Sequence, residues 1–321
     1  NRKVIGEDIM AKVLITEKIN PIGIEVIKNA GHEVIQMETL EESELKEKIK
    51  DVDAALVRIL PITREILGGA KNLKILSKHG VGVDNFDIEA AKELGIALTT
   101  TPDANGRSVA EHTFALMMSL AKNIVPVSEE YKRIGFAAKN YKEGVEVTGK
   151  TLGIIGCGKI GRRMAKMAHN GFDMRVLVYD PYITEVPEGC ELVSEKERVL
   201  SESDFISLHC YLSDETFHFI GKKEFALMKP TAYLINCARG PVVDEPALID
   251  ALLNEKLAGA GLDVTEAEPL DPESPLFKLP NVIVTPHYAP TTREAATAVS
   301  RIAGENIVNF LRDGSCVGRI V

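Results

Sequence analysis

Apolar and polar positions along this chain alternate between two periods. Short apolar runs of the kind that form buried parallel strands are separated by stretches whose apolar residues return every three or four positions. The first runs are 11–16 (AKVLIT), 32–37, 54–58, 73–78 and 96–100. Helical stretches fall between them at 21–31, 41–50, 63–67 and 86–94. Asn20 and Pro21 open the first as cap and first-turn residue. Gly31 and Gly95 close the first and fourth, and Gly68-Gly69 is expected to stop the third. Strands alternating with helices predict a parallel, doubly wound sheet of flavodoxin-like type, complete by Thr100.

A second series starts at Thr151. The apolar run Thr151–Ile155 reads as a buried strand and leads into Gly156-Cys157-Gly158-Lys159-Ile160-Gly161. A helix follows to about Asn170, with Gly171 as its expected cap, and a second strand, Val176–Tyr179, ends on Asp180. Further strands are expected at 204–209, 232–236, 259–263 and 281–285, with helices at 222–227 and 245–255. Asp244 should cap the latter, with Pro246 in its first turn. Between the two series, 101–106 has linker composition. The helix beyond it has Ser108 as a candidate N-cap and Glu111 three residues on. It is apolar nearly all round to Ile124, which predicts burial at a domain or subunit contact, and its His112 reads as structural. The last helix, Thr292–Leu311, carries Ala298, Ile302, Ile307 and Phe310 on an apolar side and has no sheet of its own. It is expected to return to the first domain. The predicted class is therefore α/β with two doubly wound parallel-sheet domains. The first is flavodoxin-like and comprises 1–104, with 290–321 returning to it. The second, a Rossmann dinucleotide-binding domain, comprises 105–289.

The turn at 156–161 fits G-x-G-x-x-G, flanked by strand and helix, with an acid about twenty residues further on. In that motif the first glycine permits a tight turn, the second lets a pyrophosphate approach the backbone, and the third lets helix and strand pack closely. The pyrophosphate would sit on the free N–H groups at the helix start. Asp180 would accept from ribose hydroxyls.

Composition narrows the class. The chain has 321 residues, 45% hydrophobic and 26% charged, as expected of a soluble globular protein. Its 38 basic and 47 acidic residues give a net charge of −9, which argues against a nucleic-acid footprint. No apolar run approaches the length of a membrane span, and Asn1 to Met10 lacks the apolar core of a signal peptide. The five cysteines, Cys157, Cys190, Cys210, Cys237 and Cys316, include no C-x-x-C pair. They predict a reduced, cytoplasmic setting and no metal site.

Ligands of open α/β sheets bind beyond the carboxyl ends of the strands. Arg239, Asp263, Glu268 and His287 all follow predicted strands of the second series. Arginine can grip a carboxylate through parallel hydrogen bonds. Histidine can take a hydroxyl proton, and a neighbouring acid can hold the imidazole and favour its charged form. Hydride transfer to or from a hydroxy acid needs this combination.

The chain resembles the D-isomer-specific 2-hydroxyacid dehydrogenases. The resemblance rests on SKHGVGVDNFD (77–87), NGRSVAEHTFALM (105–117), GKTLGIIGCGKIG (149–161), INCARGPVVDEPAL (235–248), GAGLDVTEAEPL (259–270) and TPH (285–287). It implies Arg239 as the substrate-carboxylate arginine, His287 as the catalytic base and Glu268 as its partner. It implies NAD as cofactor, held by Gly156, Gly158, Lys159, Ile160, Gly161 and Asp180. Val109, Thr216, Cys237 and Ala238 would line it, and Asp263 would accept from the nicotinamide carboxamide. Arg58, Lys78 and the amides of Val81 and Gly82 would meet a small anionic 2-hydroxy or 2-keto acid. D-3-phosphoglycerate is the first expected substrate, from N-x-R-S-V-A-E at 105–111, and hydroxypyruvate or glyoxylate the second. Closure of two domains on cofactor and substrate, and a homodimer joined through 105–150, are also implied. No appended regulatory domain is expected. Two departures are Tyr288-Ala289-Pro290 after the TPH stretch, and Tyr211 where the family often has proline. A different class, a non-catalytic NAD-sensing binding protein of the same fold, and a third, an NADP-linked reductase, are the rival readings.

Overall fold

The structure is a computed structural model that describes residues 10–321. All but Met10 of the N-terminal segment discussed above lies outside the described residues. The chain separates into two compact units, one running to Asn105 and resuming at Thr291–Val321, the other Gly106–Pro290.

The first unit contains β1 (Lys12–Ile15), α1 (Pro21–Asn29), β2 (Glu33–Gln36), α2 (Glu42–Lys48), β3 (Ala54–Val57), α3 (Arg64–Gly69), β4 (Ile75–Lys78), α4 (Ile88–Glu93) and β5 (Ala97–Thr99). Its five strands are parallel in the order β2-β1-β3-β4-β5, the flavodoxin-like order. β3 is buried at every position, because helices cover both faces of the sheet. Asn20 caps α1 through its side-chain oxygen, which accepts from the Ile22 amide at 3.1 Å, and Asp87 caps α4. α3 runs two residues further than expected, through Gly68 to Gly69, where it ends, and Ala70 caps it.

The second unit contains α5 (Gly106–Ala121), α6 (Ile124–Ile134), β6 (Thr151–Ile155), α7 (Lys159–Phe172), β7 (Arg175–Tyr179), β8 (Cys190–Val193), α8 (Lys196–Glu202), β9 (Phe205–Leu208), α9 (Lys222–Leu227), β10 (Tyr233–Asn236), α10 (Glu245–Leu253), β11 (Gly259–Leu262) and β12 (Val282–Val284). Its seven strands are parallel in the order β12-β11-β10-β9-β6-β7-β8. The order reverses at β6, so the crevice between the ends of β6 and β9 is the topological switch point.

The chain returns to the first unit as α11 (Arg293–Asp313), whose start is capped by Thr292 accepting from the Ala295 amide. It packs on α1 with the backbones in close approach. A Cβ at Gly304 would fall 2.7 Å from the Gly23 carbonyl oxygen, and one at Gly23 would fall 2.5 Å from that of Ser300.

Two predicted helix caps are corrected. Ser108 is not an N-cap: α5 already starts at Gly106, and the buried Ser108 hydroxyl donates to the Ala289 carbonyl at 2.6 Å. Gly171 is not the end of α7, which continues to Phe172 and is closed by Asp173 at φ +51. Phe172 packs on Phe114 with ring centroids 4.8 Å apart, which supports the extra residues, and Asp tolerates the left-handed region.

Two enclosed histidines set an acid sensitivity. Burial holds His79 down to about 4, helped by the nearby Arg58, while its Nε2 faces the Ser300 hydroxyl at 2.7 Å. Burial also holds His209 down to about 4, with Nε2 2.9 Å from the Ser207 hydroxyl. An unfolded histidine takes its proton near pH 6.5. Between that pH and about 4 the unfolded chain binds more protons than the folded one, so stability falls as pH falls through this window. The loss is of order 2–3 kcal/mol for each histidine. Denaturant unfolding from pH 7 to 4 should show this slope, and His79→Gln should flatten it; an unaltered slope in that variant contradicts the assignment.

Candidate active site

The glycine turn lies at the switch point of the second unit. Gly156 has φ +89, and a Cβ there would strike the Cys210 amide nitrogen at 2.7 Å. A Cβ at Gly161 would fall 2.3 Å from the Gly156 carbonyl oxygen, so helix and turn pack too closely for any side chain. At Gly158 an added Cβ meets nothing within 4 Å, leaving open space above the start of α7. No side chain caps that start, so its amides, including those of Lys159 and Ile160, face the opening. Backbone close to open space, beside the positive end of a 14-residue helix, fits a dinucleotide pyrophosphate.

Asp180 closes the same turn. Its carboxylate accepts from the Cys157 amide at 2.7 Å and the Tyr182 amide at 3.0 Å. The Tyr182 hydroxyl donates in turn to Glu215 at 3.0 Å. Thr216 is folded into its own loop: its hydroxyl donates to the Tyr211 carbonyl at 2.6 Å and accepts from the Ser213 amide. Tyr211 is 82% exposed at this edge. Cys237 is buried, and burial pushes its thiol up to about 12, so it is inert. The Ala238 amide donates to the Asn236 side chain, and Val109 is buried on α5.

Arg239, Glu268 and His287 follow β10, β11 and β12, which are neighbours in the sheet. Strands two places apart are about 10 Å apart at the backbone, within reach of an arginine and a histidine at one carboxyl edge. His287 Nδ1 lies 2.8 Å from the Glu268 carboxylate, and both side chains are nearly half exposed. A ring nitrogen held by a carboxylate leaves Nε2 as the working nitrogen. Glu266, two residues before Glu268, meets a different histidine, His218, at 2.8 Å and accepts from the Glu245 amide. The two acids of this loop are thus each assigned to their own imidazole. The Glu245 carboxylate is occupied by the Glu266 amide at 3.0 Å. Arg239 is fixed from its main chain. Its carbonyl accepts from the Asn236 side chain at 2.9 Å, its Nη1 donates to the Ala238 carbonyl at 2.7 Å, and a Cβ at Gly240 would fall 1.7 Å from the Thr265 carbonyl oxygen.

Asp263 lies beneath the His287 loop and is 1% exposed. Its carboxylate accepts from the Thr285 hydroxyl at 2.5 Å and from the Tyr288 and Ala289 amides at 2.7 and 2.8 Å. Burial pushes this carboxyl up. Hydrogen bonds from His112, Thr285 and the two amides outweigh that and hold it below its ordinary value.

In the first unit, Lys78 is the last residue of β4, and Arg58, Val81 and Gly82 lie just beyond the ends of β3 and β4. Lys78 Nζ donates to the Arg58 carbonyl and to the Asn85 side chain at 2.8 Å, and sits 5.6 Å from the Phe86 ring centre. The loop before Val81 is tied down by Thr101, whose amide and hydroxyl both donate to the Gly80 carbonyl. Sequence reasoning missed Glu17. It follows β1, across the switch point from β3, and its carboxylate accepts from the Arg58, Ile59 and Leu60 amides at 2.7 to 2.8 Å and from the Thr16 hydroxyl. The readable signal was an acid just past the carboxyl end of the strand beside the switch point.

Among the described residues no cluster of His, Cys, Asp or Glu could hold a metal ion. No helix among them is long and apolar enough to cross a membrane.

Residues 114–289 match the family model for the D-isomer specific 2-hydroxyacid dehydrogenase, NAD binding domain. The chain belongs to this family. It is 44% identical over 307 residues to D-3-phosphoglycerate dehydrogenase of Methanocaldococcus jannaschii, covering 94% of this chain and 58% of that protein. It is 41% identical over 317 residues to glyoxylate reductase of Pyrococcus furiosus, covering 94% and 92%. Among solved structures, a glyoxylate reductase from Paecilomyes thermophila superposes with a TM-score of 0.88 at 29% identity, covering 97% of this chain and 98% of that one. The chain spans little more than half the length of the phosphoglycerate dehydrogenases that it matches, at 58%, 57% and 54%.

Proposed function

We propose that this chain catalyses NAD-linked interconversion of a D-2-hydroxy acid and its 2-keto acid. The observation that carries this is the His287–Glu268 pair at 2.8 Å, on the same sheet edge as Arg239 and the glycine turn. NADH, when bound on the glycine turn, would supply the hydride. Arg239 holds the substrate carboxylate through its planar fork. His287 Nε2 gives a proton to the C2 oxygen in reduction and takes it back in oxidation. Glu268, 2.8 Å from Nδ1, fixes the orientation of the ring. Asp180 favours NAD over NADP, since a 2′-phosphate would face like charge. Within the first unit the same reading gives the substrate to Arg58, Lys78 and the amides of Val81 and Gly82.

Relatives named for D-3-phosphoglycerate make it the first substrate to test. Relatives named for glyoxylate, matched over nearly their whole length, support glyoxylate or hydroxypyruvate as the second reading. The test is NADH and NADPH oxidation against a panel of 2-keto acids, including glyoxylate, hydroxypyruvate and its phosphate ester. Turnover with NADH at least tenfold faster than with NADPH is expected for one of them. Tight NADH binding with no turnover of any would favour a sensing protein instead. Helix α6 has no buried residue and exposes Ile124, Val125, Tyr131 and Ile134, which supports a homodimer through this segment. The mass in solution, measured beside the assay, should be twice that of the chain.

A further inference from the structure

The loop carrying His287 is held from α5. His287 sits at φ +52, a left-handed conformation that costs a residue with a side chain about 1 kcal/mol or more and persists where its surroundings impose it. Its amide donates to the Asp263 carbonyl at 2.8 Å and the Thr285 carbonyl at 3.0 Å. From α5, Ser108 holds the Ala289 carbonyl. One turn further on, His112 Nε2 lies 3.1 Å from the Thr285 hydroxyl oxygen and 3.5 Å from the Asp263 carboxylate. The Thr285 hydroxyl spends its own proton on Asp263, so toward His112 its oxygen accepts. His112 therefore carries a hydrogen on Nε2. Its ring also meets Tyr288, with centroids 6.1 Å apart.

We propose that His112 is a positioning residue for His287: its Nε2–H, donated into the Thr285–Asp263 pair, fixes the left-handed turn and so aims the His287 imidazole. This rests on the reading of His287 as the proton-exchanging group. Asp263 is the anchor of the arrangement, and His112 reaches that anchor from another element, α5.

The test compares His112→Phe, which keeps a ring and removes the donor, with His112→Gln, whose amide N–H lies near the Nε2 position. In His112→Phe, kcat for 2-keto acid reduction should fall about tenfold, with the NADH Kd within about twofold; His112→Gln should recover to within about threefold. In a His287→Asn background, His112→Phe should subtract less than about twofold more, because a group acting only through His287 has nothing left to position. The proposal is overturned if His112→Phe stays within twofold of the unaltered chain, or if its full loss persists in the His287→Asn background. Should His112→Phe not fold, Thr285→Val carries the same expectation. If the unaltered chain reduces no 2-keto acid, the proposed reaction fails, and the role of His112 is read instead from ¹⁵N resonances of the His287 ring. These should shift in His112→Phe and return in His112→Gln; unshifted resonances refute it.

Discussion

His287→Ala is expected to lower kcat for 2-keto acid reduction by at least ~10²-fold, with NADH affinity nearly unchanged. The hydride leaves negative charge on the C2 oxygen unless a proton arrives with it. The imidazole is the titratable group that the sheet edge presents for that proton, already held by Glu268 at 2.8 Å. A factor of 10² is about 2.7 kcal/mol of lost barrier stabilisation, the lower end for general acid–base catalysis. The left-handed backbone at this position complicates the alanine variant, because alanine tolerates φ +52 poorly. His287→Asn separates the two effects, since asparagine accepts that conformation without supplying a proton at the same place. Equal losses in both variants assign the effect to the imidazole. Activity retained within tenfold in His287→Asn would remove His287 from the proton path.

Arg239→Lys should reduce kcat/KM for the 2-keto acid about 10²-fold, mostly through a higher KM, while the KM for NADH stays put. A guanidinium meets a carboxylate with two parallel hydrogen bonds, whereas an ammonium offers a point charge on a flexible stem. Losing one charge-assisted bond costs about 1.5–3 kcal/mol, and the lost orientation adds to it. The loop is built to hold the longer fork: Asn236 grips the Arg239 carbonyl, and Gly240 lies so close to Thr265 that the backbone has no room to shift. Lysine cannot recover the reach by moving the loop. Steady-state kinetics on the variant decide the matter, and a loss smaller than threefold would mean that the carboxylate is held elsewhere.

Both expectations began as residues after predicted strands, and most of the fold was legible in the same way. The strands of the first unit and β6, β9, β10 and β11 are short apolar runs that lie where the pattern placed them, within a residue or two. Elements with weaker patterns were not legible. Helix α6 carries Pro126 in its first turn and buries nothing, so neither periodicity nor burial marked it. Strand β8 is an edge strand in which only Val193 is buried, and α8 buries only Val199 and Leu200. Neither has the apolar run or stripe that identifies a covered element.

The sequence by itself determined the features that follow from near neighbours: strand and helix periods, the caps at Asn20 and Asp244, and the glycine turn, where the left-handed backbone of Gly156 and the approach of Gly161 to the Gly156 carbonyl are local demands. It also determined that an arginine, an acid and a histidine emerge from one edge, since strand ends are readable. Only the tertiary structure decided the remaining pairings. The resemblance already implied Glu268 beside His287, and the folded chain gives Glu266, the other acid of the loop, to His218. Ser108 has the spacing of a cap, yet its hydroxyl goes to Ala289. Asp263 reads as a ligand-facing acid, yet its carboxylate lies beneath the loop that it holds. A hydrogen bond between residues far apart along the chain depends on where the sheet brings two strand ends, and no local pattern of side chains encodes that distance.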